Sequence, residues 1–193
     1  IEELCFKSYY HLEDSQNIND LPGTFPYTRG MNSPNNNWGN GALIIIKDEL
    51  QANKKALKAL NSGAELLVFK AEHDEINWEV VLNEIQFEYI ETQFIVKNKK
   101  DIENLLHIIP SSITSMQFNI DFLGKDWEMT DFEELSMKFM TPSRRFCSVN
   151  GFELQQAGAT TWQEIAFCLN TAHEYILKLM EFGYSIDQAS ASI

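Results

Sequence analysis

The chain of 193 residues is short of cysteine, of positive charge and of long apolar runs. Its three cysteines, Cys5, Cys147 and Cys168, lie far apart. An odd number with no close pair is not the pattern of a disulfide scaffold, and a reducing, cytoplasmic setting is expected. Fifteen Lys and Arg face 28 Asp and Glu, a formal net charge of -13. Nucleic-acid phosphates demand concentrated positive charge, so nucleic acid is not the expected main partner. An anionic membrane surface is disfavoured for the same reason. No stretch reads as a bilayer span or a secretory signal. A P-loop, a glycine-rich dinucleotide fingerprint and a nucleophile elbow are all missing. His11, His73, His107 and His173 are scattered, with no i,i+4 pair and no zinc spacing to a cysteine, so no metal site is expected. His73 stands beside Glu72, Asp74 and Glu75, which read as a solvated charge cluster.

What is present is alternation. Residues 1–40 read as an N-terminal arm and extended segment. Within it Pro22 and Pro26 fix backbone angles, Gly23 and Gly30 allow sharp changes, and Phe25 and Tyr27 offer buried anchors. Residues 31–40 are rich in asparagine and glycine. From 41 to 193 the pattern is strand then helix, about five times. Short apolar strands are predicted over 42–46, 65–69, 92–96, 115–120 and 145–149. Helical spacing is predicted over 48–61, 76–90, 101–109, 131–140 and 161–182. Pro110 and Pro142 stop two of these helices. Thr130 with Glu133, and Thr160 or Thr161 with Glu164 after Thr161, offer capping residues. The longest helix places Trp162, Ile165, Ala166, Leu169, Ala172, Ile176 and Leu179 on its predicted inner face.

Five βα units imply parallel strands joined by right-handed crossovers. Two architectures compete: an open α/β sheet, and part of a (β/α)8 barrel, which usually needs about 250 residues. Periodicity leaves the choice open and slightly favours the open sheet because the chain is short. In either case ligands gather at the carboxyl ends of the strands. Asn119 and Asp121 follow the fourth predicted strand, and Asn150, Glu153 and Gln155 follow the fifth. Glu153 is a candidate acid or base if burial raises its pKa. Its alternative is an ion pair with Arg29, Arg144 or Arg145. Arg29 suits a carboxylate or phosphate, or a salt bridge holding the arm. Cys147 and Cys168 have no recognisable nucleophile setting. Candidate rim or structural residues are therefore Tyr27, Arg29, Asn119, Asp121 and Gln155.

Two segments sharpen this reading: Pro22-Gly23-Thr24-Phe25-Pro26-Tyr27-Thr28-Arg29-Gly30 and Gly151-Phe152-Glu153-Leu154-Gln155-Gln156-Ala157-Gly158-Ala159-Thr160. Both resemble signatures of the methylmalonyl-CoA mutase family. The helix through Gln163, Glu164, Ile165 and Ala166 to Tyr175 and Ile176 resembles that family too. The interval between the signatures is similar to that of the small, beta subunit of heterodimeric mutases. The resemblance covers roughly residues 20–193 and implies a partial (β/α)8 barrel of about five units, residues 41–193, behind the 1–40 arm.

The family's catalytic chains hold acyl-CoA in the barrel and adenosylcobalamin between the barrel and a C-terminal cobalamin domain. There a radical rearrangement interconverts methylmalonyl-CoA and succinyl-CoA, the cofactor supplying the radical chemistry. Catalytic members carry a Tyr-His pair where this chain has Phe152 and Glu153. An ionised carboxylate accepts hydrogen bonds and donates none, so it does not replace the imidazole that contacts the thioester carbonyl. Residues 31–40 lack the tyrosine and arginine that contact CoA in catalytic members. The family's arginine for the substrate carboxylate has no convincing counterpart between the signatures. A cobalamin domain and its DxHxxG motif are also missing. The resemblance thus implies a non-catalytic small-subunit-like component, binding no cofactor itself, paired with a catalytic large subunit that carries adenosylcobalamin. The later strands of the barrel are missing, so a fragment of a longer protein is expected. Two other readings stand beside it: an independently active acyl-CoA isomerase with a new role for Glu153, and a stand-alone α/β binding or scaffold domain.

Overall fold

A computed structural model describes residues 7–15, 22–25, 38–113, 115–120, 122, 127, 129–140 and 145–193; Leu12, Ser15, Met129 and Glu153 are described by backbone alone. The chain divides into two compact units, Ile1–Trp38 and Gly39–Ile193. In the first, a 3-10 turn spans Leu12–Ser15. Asp14 anchors it by accepting from the His11 amide at 2.9 Å and by pairing with Lys7. The Lys7 ammonium, then the His11 amide, hold the Asp14 carboxyl below its ordinary pKa. Phe25, read as a buried anchor, is 85% exposed. Tyr27 and Arg29 lie outside the described residues.

The second unit is built on four strands, β1 (Gly41–Ile46), β2 (Leu66–Ala71), β3 (Glu91–Ile95) and β4 (Met116–Phe118). They form one sheet in the order β1-β2-β3-β4, every pair parallel. Helix α1 (Glu49–Asn61) joins β1 to β2, α2 (Trp78–Val81) lies between β2 and β3, and α3 (Lys99–Ile108) joins β3 to β4. After β4 come α4 (Met129–Phe139), α5 (Phe152–Gln156), α6 (Thr161–Glu181) and α7 (Ile186–Ala191). Consecutive parallel neighbours with helical crossovers are what a partial (β/α) barrel-like fold requires.

Alternation explains the layering. Ile44, Phe69, Phe94 and Phe118 are matched across the four strands and are buried. They join one hydrophobic cluster with Ala52 and Ala56 of α1, Ile102 and Leu105 of α3, and Phe132, Leu135 and Phe139 of α4. Phe94 lies at its centre, stacked on Phe69 at 5.5 Å, tilted against Phe118 at 5.8 Å and edge-on to Trp78 at 5.6 Å. Such ring pairs add to simple area burial. Local signals agree: Asp48, Asn98 and Thr160 cap α1, α3 and α6 with their side chains. Ile109, before Pro110, is extended and ends α3.

Four expectations about where elements begin, end or break are corrected. The fifth strand, over 145–149, is only a single parallel bridge, Ile120 with Cys147. It keeps the fifth place: the Phe118 and Ile120 amides donate to the carbonyls of Arg145 and Phe146, and the Ser148 amide to that of Ile120. On its other side the Phe146 and Cys147 amides both donate to the Ser192 carbonyl, at the end of α7. The helix predicted over 76–90 is broken into α2 and a 3-10 turn at Phe87–Tyr89. Glu84 has φ 64°, a left-handed conformation that a helix does not contain. Thr130 falls inside α4, which begins at Met129, so it is not the cap. For α6 the capping box pairs Thr160 with Gln163, one residue earlier than Thr161 with Glu164.

The largest correction concerns α6. Its buried residues are Thr171, Tyr175 and Leu179. Tyr175 stacks on Phe132 at 5.7 Å. Trp162, Ile165 and Leu169, read as part of the inner face, are exposed.

One buried group is out of keeping with the core. Among the described residues, the Thr92 Oγ1 is a buried side-chain oxygen without a hydrogen-bond partner. An unpaired buried hydroxyl costs about 1–3 kcal/mol. Thr92→Val keeps the shape and removes the hydroxyl. We expect a gain of about 1 kcal/mol and a thermal midpoint raised by about 2–4 °C. A lowered midpoint in a thermal melt contradicts this.

Candidate functional site

Helices cover one face of the sheet, and the other face is the candidate site. Its apolar residues, Leu43, Ile45, Leu66, Val68 and Ile95, alternate with the buried row along β1 to β3, and none belongs to the hydrophobic cluster. Leu43 is 58% exposed. Across the strands Leu43, Val68, Gln93 and Gln117 are in register, as are Ile45, Lys70 and Ile95. The face is therefore mostly apolar at β1 and β2, with Lys70 on β2, and carries the amides of Gln93, beside Ile95 on β3, and of Gln117 on β4.

The polar end is organised. The Gln93 side-chain nitrogen donates to the Asn119 Oδ1 at 2.9 Å, and both residues are half-buried. Asn119 is held by its backbone, its amide donating to the Phe94 carbonyl at 2.8 Å. Lys70 supplies positive charge on this face, 3.7 Å from Glu72. Amides can bind and orient a polar group; they are not acids, bases or nucleophiles near neutral pH.

The residues expected at the rim are distributed as follows. Asn119 is on the uncovered face. Phe152, Glu153 and Gln155 all lie on α5 rather than in a simple loop. Phe152 is 58% exposed, and its amide donates to Asn150 Oδ1 at 3.1 Å. Gln155 is exposed. Glu153 contributes backbone to α5, and its side chain lies outside the described residues. Asp121, Tyr27 and Arg29 lie outside them as well. Topology sets Asn119 and α5 after neighbouring parallel positions, at the same end of the sheet. Gln93 and Gln117 were missed by sequence reasoning that looked at strand ends. The available signal was Gln alternating with Phe in both strands.

The two described cysteines, Cys147 and Cys168, lack an activating setting. Burial pushes the Cys147 thiol well above its ordinary pKa, and such a group stays protonated and inert. Cys168 is half-buried and backs onto Gly151. Among the described residues no group of three His, Cys, Asp or Glu could hold a metal ion. His107 and His173 are exposed on α3 and α6, and a His73 ring nitrogen lies 3.0 Å from the Asp74 carbonyl oxygen. No described helix is long and apolar enough to cross a membrane.

A separate cavity of about 400 Å³ is lined in part by Trp78, Lys100, Asp101 and His107. It belongs to the helical layer. Asp101 is buried there and accepts from the Trp78 indole at 2.8 Å and from Asn98 at 3.0 Å. Lost hydration raises its pKa, and those two hydrogen bonds oppose the rise. Its acceptors are engaged in joining α2 to α3.

Comparison with known proteins adds a second line of observation. The family profile described as methylmalonyl-CoA mutase matches residues 127–193. The methylmalonyl-CoA mutase small subunit of Porphyromonas gingivalis (strain ATCC BAA-308 / W83) is 25% identical over 206 residues, covering 94% of this chain and 33% of that one. The methylmalonyl-CoA mutase small subunit of Propionibacterium freudenreichii subsp. shermanii is 24% identical over 212 residues, covering 95% of this chain and 32% of that one. The chain thus spans about a third of the length of these curated relatives.

Proposed function

From the premise that the chain is affiliated with the methylmalonyl-CoA mutase family, we propose that it is a non-catalytic, small-subunit-like component of an adenosylcobalamin-dependent mutase. The observation that carries this reading is the similarity to two small subunits along nearly the whole chain. The site supports it. The uncovered face offers amides and apolar side chains, and Phe152 and Glu153 stand where catalytic members have tyrosine and histidine. In this reading residues 1–40 are an arm and residues 41–193 the barrel part. Tyr27, Arg29, Asn119, Asp121 and Gln155 are rim or structural residues, and the setting is cytoplasmic.

The residues present do not fit cobalamin. The family's DxHxxG motif is missing from the sequence, and of the described histidines His11 and His73 stand outside the helices and strands while His107 and His173 are exposed on α3 and α6. No step through the cofactor is assigned to this chain. The cofactor and the interconversion of methylmalonyl-CoA and succinyl-CoA belong to a catalytic partner chain.

Pairing tests this. Mixed with a cobalamin-bearing large mutase subunit, the chain is expected to co-elute with it as one species in size-exclusion chromatography. Separate elution at every concentration tried counts against the reading and favours a stand-alone binding domain.

A further inference from the structure

The chain contains the dipeptide Asn-Gly twice, at Asn40-Gly41 and Asn150-Gly151. Glycine has no Cβ to keep its own nitrogen away from the side chain before it. The fold treats the two pairs differently. Gly41 opens β1, and the Asn40 carbonyl accepts from the amides of Glu65 and Leu66. Extended backbone of this kind turns the following nitrogen away from the asparagine side chain. Asn150 is exposed and stands outside the helices and strands. Its Oδ1 accepts from the Phe152 amide at 3.1 Å. The ring closed by that bond contains the Gly151 nitrogen, so the side-chain carbonyl is folded forward over its own peptide. Among the described residues the Gly151 amide donates no backbone hydrogen bond.

We propose that Asn150 is a site of spontaneous modification, at which the Gly151 nitrogen closes a succinimide on the Asn150 side chain. The bond formed joins that nitrogen to Cγ, and the bond broken is Cγ–Nδ2. The amide proton passes to solvent base, the leaving nitrogen takes a proton from solvent, and ammonia departs. Negative charge gathers on Oδ1 during the attack, and the Phe152 amide already donates to that atom, as a donor in an oxyanion hole does. Water then opens the ring. Cleavage at Cγ gives aspartate, and cleavage at the main-chain carbonyl gives isoaspartate. No oxidant or reductant enters. The two products differ in their effect. Aspartate keeps an acceptor for the Phe152 amide. Isoaspartate adds a main-chain methylene next to Gly151, where even a Cβ would lie 2.6 Å from the Cys168 Sγ and 2.7 Å from the Glu164 Cγ. The isoaspartate form therefore loosens α5 from α6. This inference is independent of the small-subunit reading.

The test ages the full chain in mildly alkaline buffer, folded and, in parallel, unfolded in guanidinium chloride. Peptide mass spectrometry follows each asparagine, and enzymatic methylation identifies isoaspartate. In the folded chain Asn150 is expected to convert well ahead of Asn40, faster as pH rises, with isoaspartate among the products. Unfolding is expected to close the gap, since both sites then share one local sequence pattern. Phe152→Pro removes the donor where proline is tolerated, at the first position of a helix. It is expected to slow conversion about fivefold, which is about 1 kcal/mol. Asn150→Asp is expected to melt as wild type does and to yield less isoaspartate, while the isoaspartate fraction of aged wild type melts lower. An Asn150 that stays intact in the folded chain, or that leads Asn40 by the same margin folded and unfolded, overturns the proposal. Equal rates in wild type and Phe152→Pro overturn the part given to the Phe152 amide.

Discussion

Phe94→Ala is expected to lower stability by about 3–5 kcal/mol, the range for deleting a buried aromatic ring. The reason is position. Phe94 is fully buried, and its ring touches those of Phe69, Phe118 and Trp78. The first two belong to the adjacent strands, and Trp78 starts α2. Through Phe118 the contact runs on to Phe139 of α4 at 5.1 Å, and from there to Phe146 at 4.9 Å. Removing the ring leaves a cavity shared by β2, β3, β4 and the helical layer, which no single side chain can refill. Denaturant unfolding of wild type and variant measures the loss, and a loss below about 1 kcal/mol contradicts the central place given to Phe94. Gln93, one residue earlier and facing the other way, provides a contrast. Gln93→Ala removes its bond to Asn119 from a half-buried surface and is expected to cost about 1 kcal/mol.

The second large effect is at Gly151. A Cβ built there would lie 2.6 Å from the Cys168 Sγ and 2.7 Å from the Glu164 Cγ. The constraint is space, since no left-handed backbone is involved at this residue. Gly151 is buried where α5 begins, and α6 crosses close above it. Gly151→Ala must push α6 away or turn two side chains, at a cost of about 1–3 kcal/mol. A double-mutant cycle locates the cause. In a Cys168→Ala background the sulfur is gone, and Gly151→Ala should cost less by about 0.5 kcal/mol or more. Strict additivity of the two changes would place the strain elsewhere.

Much of the frame was legible because each strand alternates and each helix has its own period. The Ile44, Phe69, Phe94 and Phe118 row and the parallel order follow from short apolar runs separated by helical segments. The exceptions have physical causes. Residues 145–149 alternate weakly, since Phe146 and Cys147 are both buried in succession, and one side of the segment is taken by Ser192. Ile76, Leu82, Ile85 and Phe87 are core residues within the segment predicted helical over 76–90, but the left-handed Glu84 breaks the helix between them. In α6 two apolar lines share one helix. Sequence reasoning merged them and buried Trp162, Ile165 and Leu169 with Leu179; only tertiary contact with Phe132 shows that the Tyr175 line faces inward. Of the candidate site, Asn119 was legible as a strand-end residue, but its partner Gln93 lies within a strand, where spacing alone does not single it out.

The most direct test of the central claim is a turnover assay for carbon-skeleton rearrangement. The isolated chain is supplied with methylmalonyl-CoA and adenosylcobalamin, with and without a catalytic large subunit. The account predicts no succinyl-CoA from the chain alone and product only when the large subunit is present. Rearrangement by the isolated chain, abolished in Glu153→Ala without loss of folding, would contradict it and make this chain an isomerase in its own right.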